Sequence, residues 1–230
     1  MPVKTSAGKT GQNASLPYVL PFAIFLGFLA LKHFASLPPA VDLALRIVVL
    51  TLVLVTLSRS VISLRTVVPA PSLLLGIVVF IIWVGPDLLF PHYREHWLFS
   101  NSVLGKLDPS APAGLSGSPF ALVCRTIQAV VLVPILEELF WRAWLMRWLI
   151  NPRFQAVALG VYAAGSFWIT AVLFASEHGP YWDVGLIAGV LYNWWMVRTR
   201  SLGDCILAHA MTNACLCAYV IATGHWQYWS

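Results

Sequence analysis

The chain has 230 residues, 59% of them hydrophobic and 10% charged, with a formal net charge of +5 and a mean hydropathy of +0.79. A soluble domain carries about 25% charged residues, so this composition excludes an ordinary soluble globule and predicts an all-α, polytopic transmembrane helical bundle. The basic residues are scattered at the edges of apolar runs and form no stripe, which excludes nucleic acid as a partner and leaves membrane lipid.

In chain order, residues 1–16 are rich in Gly, Ser, Thr and Lys and read as a disordered cytoplasmic tail. The apolar run that follows is long and has no small-x-small cleavage site, so no cleaved signal peptide is expected. Seven apolar segments lie at roughly 18–35, 41–58, 68–90, 119–150, 154–179, 181–198 and 202–223. Each approaches the ~20 residues that cross ~30 Å of hydrocarbon, which gives seven to eight spans. Residues 17–118 hold three spans and a long Pro/Ser/Gly-rich loop at 91–118. Residues 119–223 hold the rest, and the aromatic tail 224–230 reads as an interfacial belt with a dangling end that carries His225. Cys124, Cys205, Cys215 and Cys217 lack CxxC spacing and read as reduced packing residues. No internal repeat is visible.

With a cytoplasmic N-terminus, the inner side holds Lys4, Lys9, Arg59, Arg65, Arg147, Arg153, Arg198 and Arg200, and the outer side Lys32, Arg94 and Lys106. That asymmetry favours N-inside, in a bacterial cytoplasmic membrane. Arg46, Arg125 and Arg142 fall within spans. In the loop, His92-Tyr93-Arg94-Glu95-His96 matches the zinc-binding H-x-x-E-H pattern by letter. That motif needs a helix in a soluble catalytic domain, so a polar interfacial loop is the expected reading. Gly185 and Gly189 have the small-xxx-small spacing of close helix contacts, although chance gives the same pattern in a glycine-tolerant membrane helix. Trp141, Trp144, Trp148, Trp194 and Trp195 are expected at interfaces or in the core.

The sharpest signal is "PILEELFWRAWL", residues 134–145. An ionised group at bilayer depth is costly unless it finds a partner or water. Arg142 follows Glu138 by four residues and shares its face, so the two are expected to pair. Glu137 points about 100° away and must look into a polar cavity or toward another helix. Two later segments offer partners: Phe174 and His178 at i,i+4 in "LFASEHG", and His209 and Asn213 at i,i+4 in "LAHAMTNAC". On a straight helix from Phe154, His178 would be ~36 Å along, far from Glu137. A common depth therefore requires 151–163 to be a connector and the crossing helix to begin near Gly165, with a site reached from the cytoplasmic half.

Glu137-Glu138-x-x-x-Arg142, Phe174-x-x-x-His178 and His209-x-x-x-Asn213, in this order on apolar helices, resemble the three motifs of the CPBP family. That family comprises the CAAX proteases and bacteriocin-processing intramembrane proteases, the type II CAAX prenyl endopeptidase among them. The likeness covers about residues 120–223, and the spacing between its first two motifs is long. It implies a CPBP-like catalytic core over 119–223 and a glutamate-dependent intramembrane endopeptidase acting on a membrane-associated or CAAX-like peptide or protein substrate, with or without a lipid. It further implies that Glu137 and His178 activate water, that His209 and Asn213 line an oxyanion hole, and that Glu138, Arg142 and Phe174 support them. No cofactor is expected. Zinc held by Glu and His is the rival mechanism, and the HExxH spacing of zinc proteases is absent. The competing classes are a non-catalytic scaffold or immunity protein and a proton-coupled transporter.

Overall fold

Proline sets three helix starts: Pro39, Pro69 and Pro119 each open a helix, where the missing N–H is no loss. In a computed structural model, described for residues 12–31, 37–101, 104, 110, 115 and 117–229, seven long helices form an all-α polytopic bundle. They are α1 (Gln12–Leu31), α2 (Pro39–Ser58), α3 (Pro69–Leu89), α4 (Pro119–Trp148), α5 (Ala164–Ser176), α6 (Trp182–Thr199) and α7 (Leu202–Thr223). No strand occurs among the described residues. Five helices, α1 to α4 and α7, are long and apolar enough to span a bilayer. By contrast, α5 has 13 residues, about 20 Å of rise, and α6 has a charged residue near each end, Asp183 and Arg198.

Polarity is inverted relative to a soluble protein: Val48, Leu52, Leu74, Ile81 and Val172 face outward, as a lipid-facing surface requires. The buried interior contains Arg46, Gln128, Glu137, Glu138, Arg142, Asn193, Asp204 and His209. Helix α7 packs against α3, α4 and α6. Its N-cap Ser201 accepts from the Asp204 amide at 3.2 Å, and the Asp204 carboxylate in turn accepts from the amides of Val67 and Val68 and from Ser72 Oγ. One acid thereby satisfies the exposed donors at the start of α3. Helix α4 is α-helical over Val133–Glu138, with wider π-helical turns before it, at Gln128–Leu132, and after it, at Leu139–Leu145.

Several boundaries differ from the sequence reading. Residues 1–11 of the expected tail lie outside the described residues, but Gln12–Leu16 are already helical. That first turn is anchored because Trp144 Nε1 donates to Ser15 Oγ at 3.0 Å and Ser58 Oγ donates to the Pro17 carbonyl at 2.6 Å. Helix α5, by contrast, begins at Ala164 after a single 3₁₀ turn at Phe154–Ala156, as the connector expected over 151–163 and the start expected near Gly165 require. The tail does not dangle. A 3₁₀ turn at Trp226–Trp229 folds back, Trp229 is buried, and Tyr228 Oη donates to Asp87 at 2.8 Å. Its aromatic rings gain more by burial than by exposure.

The 91–118 segment is described only in part, and its first turns are tied down. Arg94 is buried and donates to Asp87 at 2.9 Å, to the Pro180 carbonyl at 2.8 Å and to Asp183. Tyr93 Oη also donates to Asp183, at 3.0 Å. The histidines of the H-x-x-E-H match are not paired with each other. His92 bonds Glu95 at 2.8 Å on the surface, and His96 accepts from the Leu98 amide. Arg59, Arg65, Arg147, Arg153, Arg198 and Arg200 gather at the end of the bundle where α1 begins, and Arg94 lies at the other.

Candidate active site

Glu138 accepts from Arg142 Nη1 at 2.9 Å, both side chains being fully buried. The same oxygen lies 2.9 Å from His209 Nδ1. A carboxylate paired with arginine can only accept, so His209 donates through Nδ1 and turns Nε2 toward Glu137, 4.0 Å from its Oε2. Arg142 Nε donates to Asn193 Oδ1 at 3.1 Å, and Asn193 Nδ2 donates to the Phe167 carbonyl at 2.8 Å. The Arg142 guanidinium also lies 4.4 Å from the Phe174 ring centroid, a cation–π contact. This network joins α4, α5, α6 and α7.

Glu137 is buried, and its Oε2 has no hydrogen-bond partner among the described residues. It lines a cavity of about 190 Å³ together with His178, His209 and Asn213. His178 lies two residues beyond the end of α5, not inside a helix as the sequence reading had it. Gly179 and Pro180 stop the helix there. His178 Nδ1 donates to the Phe174 carbonyl at 2.7 Å, which leaves Nε2 as the acceptor of a neutral ring. Trp83 and Phe174 hold that ring from two sides, with centroids at 5.1 and 4.7 Å. Asn213 Nδ2 donates to the Ala129 carbonyl at 2.8 Å, so one of its two amide hydrogens is already used.

The cavity follows α4 through Arg125, Ala129, Val133 and Glu137, and α7 from His209 to Cys217. It therefore runs away from the basic end of the bundle, toward Tyr228 and Trp229, and not into the half expected from the sequence. Four neighbours escaped the motif reading. Asn193 orients Arg142, and Tyr192 stacks on His209 with centroids 5.1 Å apart. Trp83 packs on His178, and Glu177 Oε1 accepts from Trp141 Nε1 at 3.1 Å. A polar Tyr192-Asn193 pair in an apolar helix is the same kind of signal that drew notice to Glu137. Among the described residues, no three His, Cys, Asp or Glu side chains group as metal ligands do.

A polytopic α-helical bundle with a carboxylate, two imidazoles and an amide around one cavity defines an integral membrane protein with a polar site among its helices. Residues 119–215 match a family described as type II CAAX prenyl endopeptidase Rce1-like, in agreement with the motif-based resemblance. The family is one of proteases that act on protein substrates. No curated protein and no solved structure matches the chain.

Proposed function

We propose that the protein is an intramembrane glutamic endopeptidase that hydrolyses a peptide bond of a membrane-associated substrate. The observation that carries this reading is the convergence of Glu137, with one carboxylate oxygen accepting no hydrogen bond, on the cavity that His178, His209 and Asn213 also line. Glu137 takes a proton from a water that His178 Nε2 orients. The hydroxide oxygen bonds to the scissile carbonyl carbon. The oxyanion accepts from the second Asn213 N–H and from His209 Nε2, which donates when the imidazole is protonated between Glu137 and Glu138. Each such donor contributes ~2.7–4 kcal/mol in comparable sites. The C–N bond then breaks as Glu137 returns its proton to the leaving amine.

No metal takes part in this scheme. The six arginines at the α1 start favour a cytoplasmic N-terminus. Glu137→Gln in proteoliposomes is expected to abolish peptide release while the protein stays folded and inserted, and chelators are expected to leave the wild-type rate unchanged. Undiminished release by the variant removes Glu137 from the mechanism. A rate lost to chelation and restored by zinc replaces it with the metal route.

A further inference from the structure

Three arginines in the spans or at their edge are neutralised by acids. Arg46 pairs with Asp42, Arg94 with Asp87 and Asp183, and Arg142 with Glu138. Arg125 has no acidic partner among the described residues. Its contacts are the Trp229 carbonyl, which accepts from Nη2 at 3.0 Å, and the Trp229 ring, 5.9 Å from the guanidinium carbon. It lines the same cavity as Glu137, His178, His209 and Asn213. A cation held at membrane depth without a counter-charge is costly, and the cavity it faces is where an anion can enter.

The chain's own segment shows what this guanidinium donates to, for a peptide carbonyl flanked by aromatic rings already sits on it. A carboxylate is a better acceptor for a guanidinium than an amide carbonyl and can take two hydrogen bonds. Arg125 and Glu137 are twelve residues apart on α4, about 18 Å along its axis. An extended peptide rises up to ~3.6 Å per residue, so roughly five residues suffice to join the two groups.

We propose that Arg125 is a substrate-binding residue that holds a peptide carboxylate a few residues from the bond cleaved at Glu137. The inference rests on the hydrolase reading for the position of that bond, whereas the anion site itself stands on the cavity and on Arg125. The carboxylate is either the free C-terminus of the peptide or an acidic side chain near it. The Trp226–Trp229 turn is the element the incoming peptide displaces from the guanidinium.

Binding tests this without catalysis. Full-length protein carrying Glu137→Gln, in nanodiscs, is titrated with an N-terminally dansylated apolar hexapeptide, its C-terminal amide, and the amide with glutamate at the penultimate position. Energy transfer from tryptophan reports occupancy. The free acid is expected to bind on the order of 10- to 100-fold tighter than the plain amide. Adding Arg125→Gln erases that preference, and Arg125→Lys, which keeps the charge, retains part of it. Glutamate amide binding as tightly as the free acid assigns the site to a side chain; binding as weakly as the plain amide assigns it to the C-terminus. Equal affinities for all three peptides, or an acid preference that survives Arg125→Gln with Arg125→Lys unaltered, overturns the proposal. Wild-type protein that binds with the acid preference yet cleaves none of these peptides overturns the hydrolase reading and leaves the Arg125 site standing.

Discussion

Glu138 holds two donors at once, Arg142 along its own helix and the Nδ1 side of His209 across the bundle. Removing an acid from a fully buried pair strands its partner, at a cost of about 3–5 kcal/mol. Glu138→Ala is therefore expected to lower the thermal midpoint by roughly 6–20 °C in detergent, with Glu138→Gln losing less, since it can still accept from Arg142. A midpoint within a degree or two of wild type for Glu138→Ala would show that the network does not hold α4 to α7. The Glu138–Arg142 half of this arrangement is legible in the sequence, because i,i+4 spacing fixes which side chains of one helix meet. The His209 and Asn193 half is not. Those partners are 71 and 51 residues away, and spacing carries no information about which face of another helix turns inward. Phe174 serves both this network and the cavity, with its ring covering Arg142 and its carbonyl fixing His178.

Helices α5 and α6 are short and packed closely, and the glycine pair of α6 is where they approach. A Cβ on Gly189 would lie 3.1 Å from the Ala171 carbonyl oxygen, and one on Gly185 would lie 3.3 Å from three atoms of His178. The small-xxx-small spacing is thus a contact surface, and one of its two glycines backs the histidine of the cavity. Gly185→Ala is expected to displace the His178 ring by a few tenths of an ångström. On the proposed mechanism this lowers kcat on the order of tenfold with little change in melting temperature. An unchanged kcat would mean that His178 does not depend on that backing. The position of His178 past the helix end was open to reading from Gly179-Pro180, which terminates helices. The four-residue spacing from Phe174 pointed the other way and suggested a side chain still within the helix.

At the scale of the molecule, two clamps close the bundle at opposite ends. Asp204 fastens α7 to the start of α3 at the basic end, and Arg94 fastens the segment after α3 to the start of α6 at the other. Both are long-range and invisible to local pattern, which is why the turn at 92–96 reads as a plain polar loop although its central arginine is buried. Arg94→Ala leaves Asp87 and Asp183 facing each other without the cation, a loss of about 1.5–3 kcal/mol for charged hydrogen bonds of this kind. Faster chymotryptic cleavage between Tyr93 and Phe99 is the expected result, and cleavage at the wild-type rate would count against the clamp.

The wide turn at Gln128–Leu132 has a consequence for heredity as well as for shape. Twelve residues of regular α-helix would leave Arg125 and Glu137 about 120° out of phase, and one surplus residue in a π turn winds about 100° of that back. The alignment of guanidinium and carboxylate along one wall thus depends on residue count more than on residue identity. Between these two positions, evolution can exchange side chains far more freely than it can insert or delete a single codon.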